Sequence, residues 1–96
     1  MENNTRIENL ARMFDMLGDT NRLSIVVYLM GGEKSVSDIT KHIGMSQSAV
    51  SHQLRILKDA RILKATKIGK AVYYSIKDEH VETIVESGLV HMVHEE

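Results

Sequence analysis

Ninety-six residues, 43% of them hydrophobic, with a net charge of −1, fit one small domain with a single core, and burial would increase if two copies paired. The chain contains no cysteine, which excludes disulfides, thiolate metal sites and cysteine nucleophiles together. Met1 to Arg6 is polar rather than a basic segment leading into an apolar core, and no apolar run approaches the roughly 18 residues of a membrane span; a cytoplasmic location with no membrane partner is expected.

Along the chain, Ile7, Leu10, Ala11, Phe14 and Leu17 recur at helical spacing and predict an amphipathic helix from about Thr5 to Leu17, ended by Gly18 and Asp19. Thr20 is the expected cap of a second helix. Its residues Leu23 and Ile25 to Met30 are apolar nearly all round, which marks it as the buried central helix, stopping at Gly31 and Gly32. Ser35 or Ser37 caps a short third helix whose inward residues are Ile39 and Ile43. Gly44 supplies a turn, and Ser46 caps a fourth helix from about Gln47 to Ala60. The period then changes: Leu63 to Lys67 and Ala71 to Ile76 read as two strands joined by Ile68, Gly69 and Lys70. A last helix runs from about Glu79 to His94, with Val81, Ile84, Val85, Leu89 and Met92 as its core-facing side.

The segment from Val36 to Leu57 has the layout of a helix-turn-helix, a short helix and a longer one pivoting on Gly44. Ile39, Ile43, Met45, Val50, Leu54 and Leu57 form its inner face. That leaves Gln47, Ser48, Ser51, His52 and Arg55 exposed on the second helix. These side chains are short or hydrogen-bonding, as entry to a major groove about 12 Å wide requires: Gln47 can pair with adenine, the serines and His52 with base edges or phosphates, and Arg55 with backbone or guanine. Charge placement agrees. From Lys41 to Lys70 seven basic residues stand against one acid, Asp59, so this stretch carries +6 and the remainder −7; this is the pattern expected when one surface meets phosphate, and a solvated lysine-rich face is the alternative. Lys41 lies within that stretch, and Lys67 and Lys70 bracket the hairpin tip. A solvated amphipathic helix would also accommodate these residues. An enzyme would not, because Ser51 and His52 are adjacent on a helix and diverge by about 100°, too far to act as nucleophile and base.

Asp78, His80, His91 and His94 form the second constellation. Eleven residues are almost three helical turns, so His80 and His91 share a stripe, with His94 one turn further on. At 1.5 Å per residue His80 and His91 are roughly 16 Å apart, whereas zinc–nitrogen bonds are about 2.0–2.1 Å. One helix cannot gather them round one ion. An antiparallel partner helix can, because a two-fold crossing near Glu86 and Ser87 sets Asp78 and His80 of one chain against His91 and His94 of the other, giving two identical sites. Ser87 and Gly88 are small enough for such a crossing. Asp78 is expected at the N-cap, since two helical residues two apart diverge by about 200°. Taken singly, each of these residues also has an ordinary structural use, as a cap or as an exposed histidine near a chain end.

Over essentially its whole length the chain resembles the ArsR/SmtB family of winged-helix repressors. The resemblance is carried by Leu17, Gly18, Asp19, Asn21 and Arg22, by the Ser46 to His52 run, and by the Leu54 to Lys58 continuation. It implies a mainly α winged helix-turn-helix homodimer with a small β-hairpin. Residues 1–96 would form a single domain, with dimerisation by the first and last helices, DNA reading by 37–60 and a wing at 62–76. It further implies double-stranded operator DNA as partner and release on metal binding. One subgroup of the family uses paired cysteines at the start of the third helix; Ser35 and Ser37 stand there, so that site is absent. The other places an aspartate and three histidines on the last helix, and Asp78, His80, His91 and His94 fit its CzrA-type zinc and cobalt sensors. Three imidazoles and a carboxylate suit tetrahedral Zn(II) or Co(II) as effector. With two residues after His94, the larger ligand set of nickel sensors is not expected.

Overall fold

A computed structural model describes the backbone of residues 2–95 and the side chains of residues 4–93. The order is α1 (Glu2–Leu17), α2 (Thr20–Leu29), β1 (Lys34–Ser35), α3 (Val36–Ile43), α4 (Gln47–Asp59), β2 (Leu63–Ile68), β3 (Ala71–Ile76) and α5 (Glu79–Glu95). This is a mainly helical winged helix-turn-helix with a three-stranded antiparallel sheet in the order β1-β3-β2. Among the described residues no helix is long and apolar enough to cross a membrane.

The helix-turn-helix follows the expected chemistry. Ser35 and Ser46 each accept a hydrogen bond from the backbone N–H three residues on, at 3.0 and 3.2 Å, and so cap α3 and α4. Gly44 ends α3 at φ 79°, a left-handed conformation that costs glycine nothing. Ile39, Val50, Leu54 and Leu57 are buried completely against Ile25 and Val26 of α2, while Ile43 and Met45 pack at the edge of this core. Each fully buried aliphatic side chain contributes about 1.5–3 kcal/mol, so this interior fixes α4 firmly on the domain. Tyr28 of α2 stacks on His42 of α3, with centroids 3.9 Å apart and rings 9° from parallel.

Several expectations are corrected. Asp19, not Thr20, caps α2: its carboxylate accepts from the Arg22 N–H at 3.0 Å, and Thr20 is already helical. The hairpin loop is two residues rather than three, because Ile68 pairs with Ala71 and Gly69 turns the chain at φ 63°. Strand β1 was not expected, since two residues carry no periodicity; Lys34 and Ser35 pair with Tyr74 and Tyr73 of β3. The largest difference is in α5. Val81 and Val85 are buried, but Ile84, Leu89 and Met92 are exposed, so the side expected to face the core leaves it after the second turn. Leu17 is likewise the one buried apolar residue of the α1 stripe, with Ile7, Leu10 and Phe14 exposed.

Candidate functional site

The residues expected to read DNA fall into two adjoining stripes of α4. Gln47, Ser51 and Arg55, four apart, line a groove whose other wall is Lys70 to Tyr74 of the wing and whose end is Ser35 to Ser37. Ser48 and His52 are exposed on the neighbouring stripe. Ser51 was expected to be exposed and is half-buried, because it lies against the wing side of the helix. Lys41 in the last turn of α3 and Lys67 on β2 are exposed but do not line this groove. Arg55 and Lys70 thus bring two cations to one cleft with three small hydroxyls and an amide, an arrangement that can hold phosphate and reach base edges together.

The sequence reading omitted Ser35, Ser37 and Tyr73 from this surface. In the sequence Ser35 and Ser37 read as caps and stand where one subgroup of the family has cysteines, and Tyr73 falls within the predicted Ala71 to Ile76 strand. The missing signal was β1. Its pairing with β3 is what brings the start of α3 beside the wing.

After the wing, Asp78 caps α5 as expected. Its Oδ1 accepts from the backbone N–H groups of His80 and Val81 at 3.0 and 3.2 Å. Neither of these bonds uses Oδ2. The His80 ring lies beside the carboxylate, Nδ1 3.8 Å from Oδ1, and the two side chains are 86% and 50% exposed. Capping and ligation are therefore compatible: a carboxylate oxygen and an imidazole stand next to each other and are open to solvent. His91 is exposed twelve residues into α5. The His94 side chain lies outside the described residues. Among the described residues of one chain no three His, Cys, Asp or Glu side chains could hold a metal ion together, so the structure joins Asp78 to His80 and leaves His91 apart from them.

Phe14, Leu17, Gly18 and Leu23 of the α1–α2 segment face Ile84, Gly88, Leu89 and Met92 of α5 across an open apolar groove. Ile7, at 64% exposure, and Val93, at 68%, continue apolar surface along the two helices.

The fold and groove define a winged-helix transcriptional regulator. The sequence pattern of the family described as bacterial regulatory protein, arsR family, matches residues 19–65, and the chain belongs to that family. It is 42% identical over 84 residues to a cadmium resistance transcriptional regulatory protein CadC homolog of Staphylococcus aureus, an alignment covering 86% of this chain and 69% of that one. It is also 42% identical over 74 residues to a transcriptional repressor SmtB homolog of a Synechocystis species, covering 77% of this chain and 56% of that protein. Among solved structures it resembles the homodimeric winged helix-turn-helix DNA-binding domain of a Mycobacterium bovis protein, with TM-score 0.82, 29% identity and coverage of 96% and 83%. These relatives are transcriptional regulators rather than enzymes.

Proposed function

We propose that this chain is a homodimeric repressor that holds a two-fold symmetric operator when metal-free and leaves it when loaded with Zn(II) or Co(II), releasing expression of metal efflux or resistance genes. Each of two equivalent sites would take Asp78 and His80 from one protomer and His91 and His94 from the partner subunit. Once held, the ion supplies a cross-link between the two last helices. Four protein ligands close its shell, which suits an effector rather than a catalyst.

The observation that carries this reading is the Asp78–His80 pair, with Oδ1 and Nδ1 3.8 Å apart and both side chains open to solvent at the start of α5. Gly88 supports the two-fold crossing. Mid-helix glycine costs about 1 kcal/mol relative to alanine, yet an added Cβ there would meet nothing within 4 Å in the single chain; the close approach of a partner helix gives it a purpose. The homodimeric Mycobacterium bovis domain supports the pairing of two copies. The name of the Staphylococcus aureus relative speaks of cadmium resistance, but this chain lacks the thiolates that favour soft ions.

The chain's own residues do the rest. Asp78 and His80 orient through the α5 cap, α4 and the wing present Gln47, Ser48, Ser51, His52, Arg55 and Lys70 to DNA, and Lys41 and Lys67 add positive charge nearby. Linkage requires operator DNA to weaken zinc affinity by the factor with which zinc weakens operator affinity. Cobalt titration of the dimer tests the site: intense visible bands from four-coordinate Co(II) are expected, and their persistence in His94→Ala would remove that histidine from the ligand set. An electrophoretic shift of operator DNA that zinc leaves unchanged would overturn the metal response.

A further inference from the structure

One guanidinium joins the end of α1 to the recognition helix. Arg22, in the first turn of α2 and half-buried, donates from Nε to the Met16 carbonyl oxygen at 2.7 Å and from Nη1 to Gln53 Oε1 at 3.1 Å. The Met16 carbonyl is one of the last four of α1, which lack partners within their own helix. Helix α1 has no basic residue in its last turn. Arg22 thus supplies both the donor and the positive charge that this helix end lacks.

Its other partner is equally telling. Gln53 lies two residues from both Ser51 and Arg55, so it points about 200° away from each, toward the back of α4. It is half-buried and does not line the groove. The guanidinium therefore grips α4 from behind, without occupying the surface that meets DNA.

We infer that Arg22 is a positioning residue for operator binding: by holding the carboxyl end of α1 and the back of α4 in one planar fork, it sets the recognition helix relative to a helix of the protomer–protomer face. The inference rests on the repressor reading above. Lysine cannot replace the fork, because a single ammonium is a point donor on a flexible stem and does not present fixed, divergent N–H groups. In a dimer the angle of α4 against α1 becomes the distance and twist between two recognition helices, which must match half-sites one helical turn apart.

The test uses duplexes selected by the wild-type dimer from a pool of two-fold symmetric half-sites, and the same duplexes with one base pair inserted at the dyad, which turns one half-site by about 35°. Arg22→Lys and the gentler, near-isosteric Gln53→Met are each expected to lose about tenfold in affinity for the selected duplex, the scale of one hydrogen bond from a charged donor. The double variant should lose little more than either single, since both remove one link. The preference for the selected over the inserted duplex should shrink, and the salt slope should stay unchanged because neither side chain meets phosphate. Variants that melt at lower temperature yet keep the wild-type affinity and the wild-type preference would show a purely structural tie and overturn the inference. A wild-type chain that selects no duplex overturns the operator reading itself, and the inference with it.

Discussion

The α3–α4–wing region has its core and its polar groove within one chain, whereas the α1–α5 region leaves much of its apolar surface open. In the first, Val50, Leu54 and Leu57 are buried, both helices are capped, and Gln47, Ser51, Arg55 and Lys70 are already gathered at one groove. In the second, Ile7, Phe14, Leu89 and Val93 are exposed and the metal-type ligands are divided between the two ends of one helix. A surface that recognises an external partner can be finished in the monomer. The proposed pairing with a second copy would give the exposed apolar residues of α1 and α5 their cover.

The sharpest way to break this comparison is to charge the unfinished face. Leu89→Glu would place a carboxylate in the proposed helix crossing, where an unpaired charge costs roughly 3 kcal/mol or more, over a hundredfold in dimer association. Sedimentation should show a monomer, and operator affinity should collapse with it, although Leu89 does not line the α4 groove. A variant that stays dimeric would place the interface elsewhere.

The two regions should also separate under mutation. His80→Ala is expected to remove zinc-driven release, a coupling of typically 1–3 kcal/mol or about 5–150-fold, while metal-free operator binding stays near wild-type. Ser51→Ala should do the reverse and weaken operator binding by about 1 kcal/mol with zinc affinity unchanged. Operator and zinc titrations of both variants measure all four quantities. If Ser51→Ala weakened zinc binding and left the operator untouched, the division of labour between the regions would be wrong.

Legibility in the sequence follows the same division. The helix-turn-helix was readable because its signals are local: Ser46 before an apolar period, Gly44 where φ is positive, Ile39, Val50 and Leu54 at core spacing. Asp78 was placed correctly at the cap for the same reason. Strand β1 was not readable, because two residues become a strand through pairing with β3, and Ser35, Ser37 and Tyr73 were missed with it. The burial of α5 was misjudged because periodicity identifies an apolar face without saying whether the domain's own core or a partner covers it. Asp19 and Thr20 are adjacent and both residue types cap helices, so spacing alone does not choose between them, although aspartate is the stronger cap.

Gly88→Ala distinguishes those two kinds of apolar face by the sign of its effect. With no neighbour near an added Cβ in the single chain, the substitution should stabilise an isolated helix by about 1 kcal/mol. At a close two-fold crossing the two new methyl groups meet each other's helix, and the dimer should weaken instead. Concentration-dependent thermal unfolding gives the sign, and a higher Tm at every concentration would move the crossing away from Gly88.

The finished region has one internal flaw, and the smallest expected effect lies there. Arg61 holds φ 63°, the one non-glycine residue among those described with positive φ. The reason is the end of α4: Ile62 N–H donates to the Leu57 carbonyl at 3.0 Å and Arg61 N–H to that of Lys58 at 2.9 Å. This is the paired hydrogen bonding of a Schellman motif, with Ile62 and Leu57 both buried in the core. The left-handed position would suit glycine, and a Cβ there costs about 1–2 kcal/mol. Arg61→Gly relieves that strain but gives the unfolded chain extra freedom worth about 0.4–1 kcal/mol, so a net gain of roughly 0.5–1 kcal/mol remains, several degrees in Tm for a domain of this size. Arg61 does not line the α4–wing groove, so operator affinity should fall no more than the loss of one remote positive charge allows. A larger drop on DNA, with Tm raised as expected, would show that the strain is kept because this guanidinium reaches the phosphate backbone, and would extend the DNA-facing region to the far end of α4.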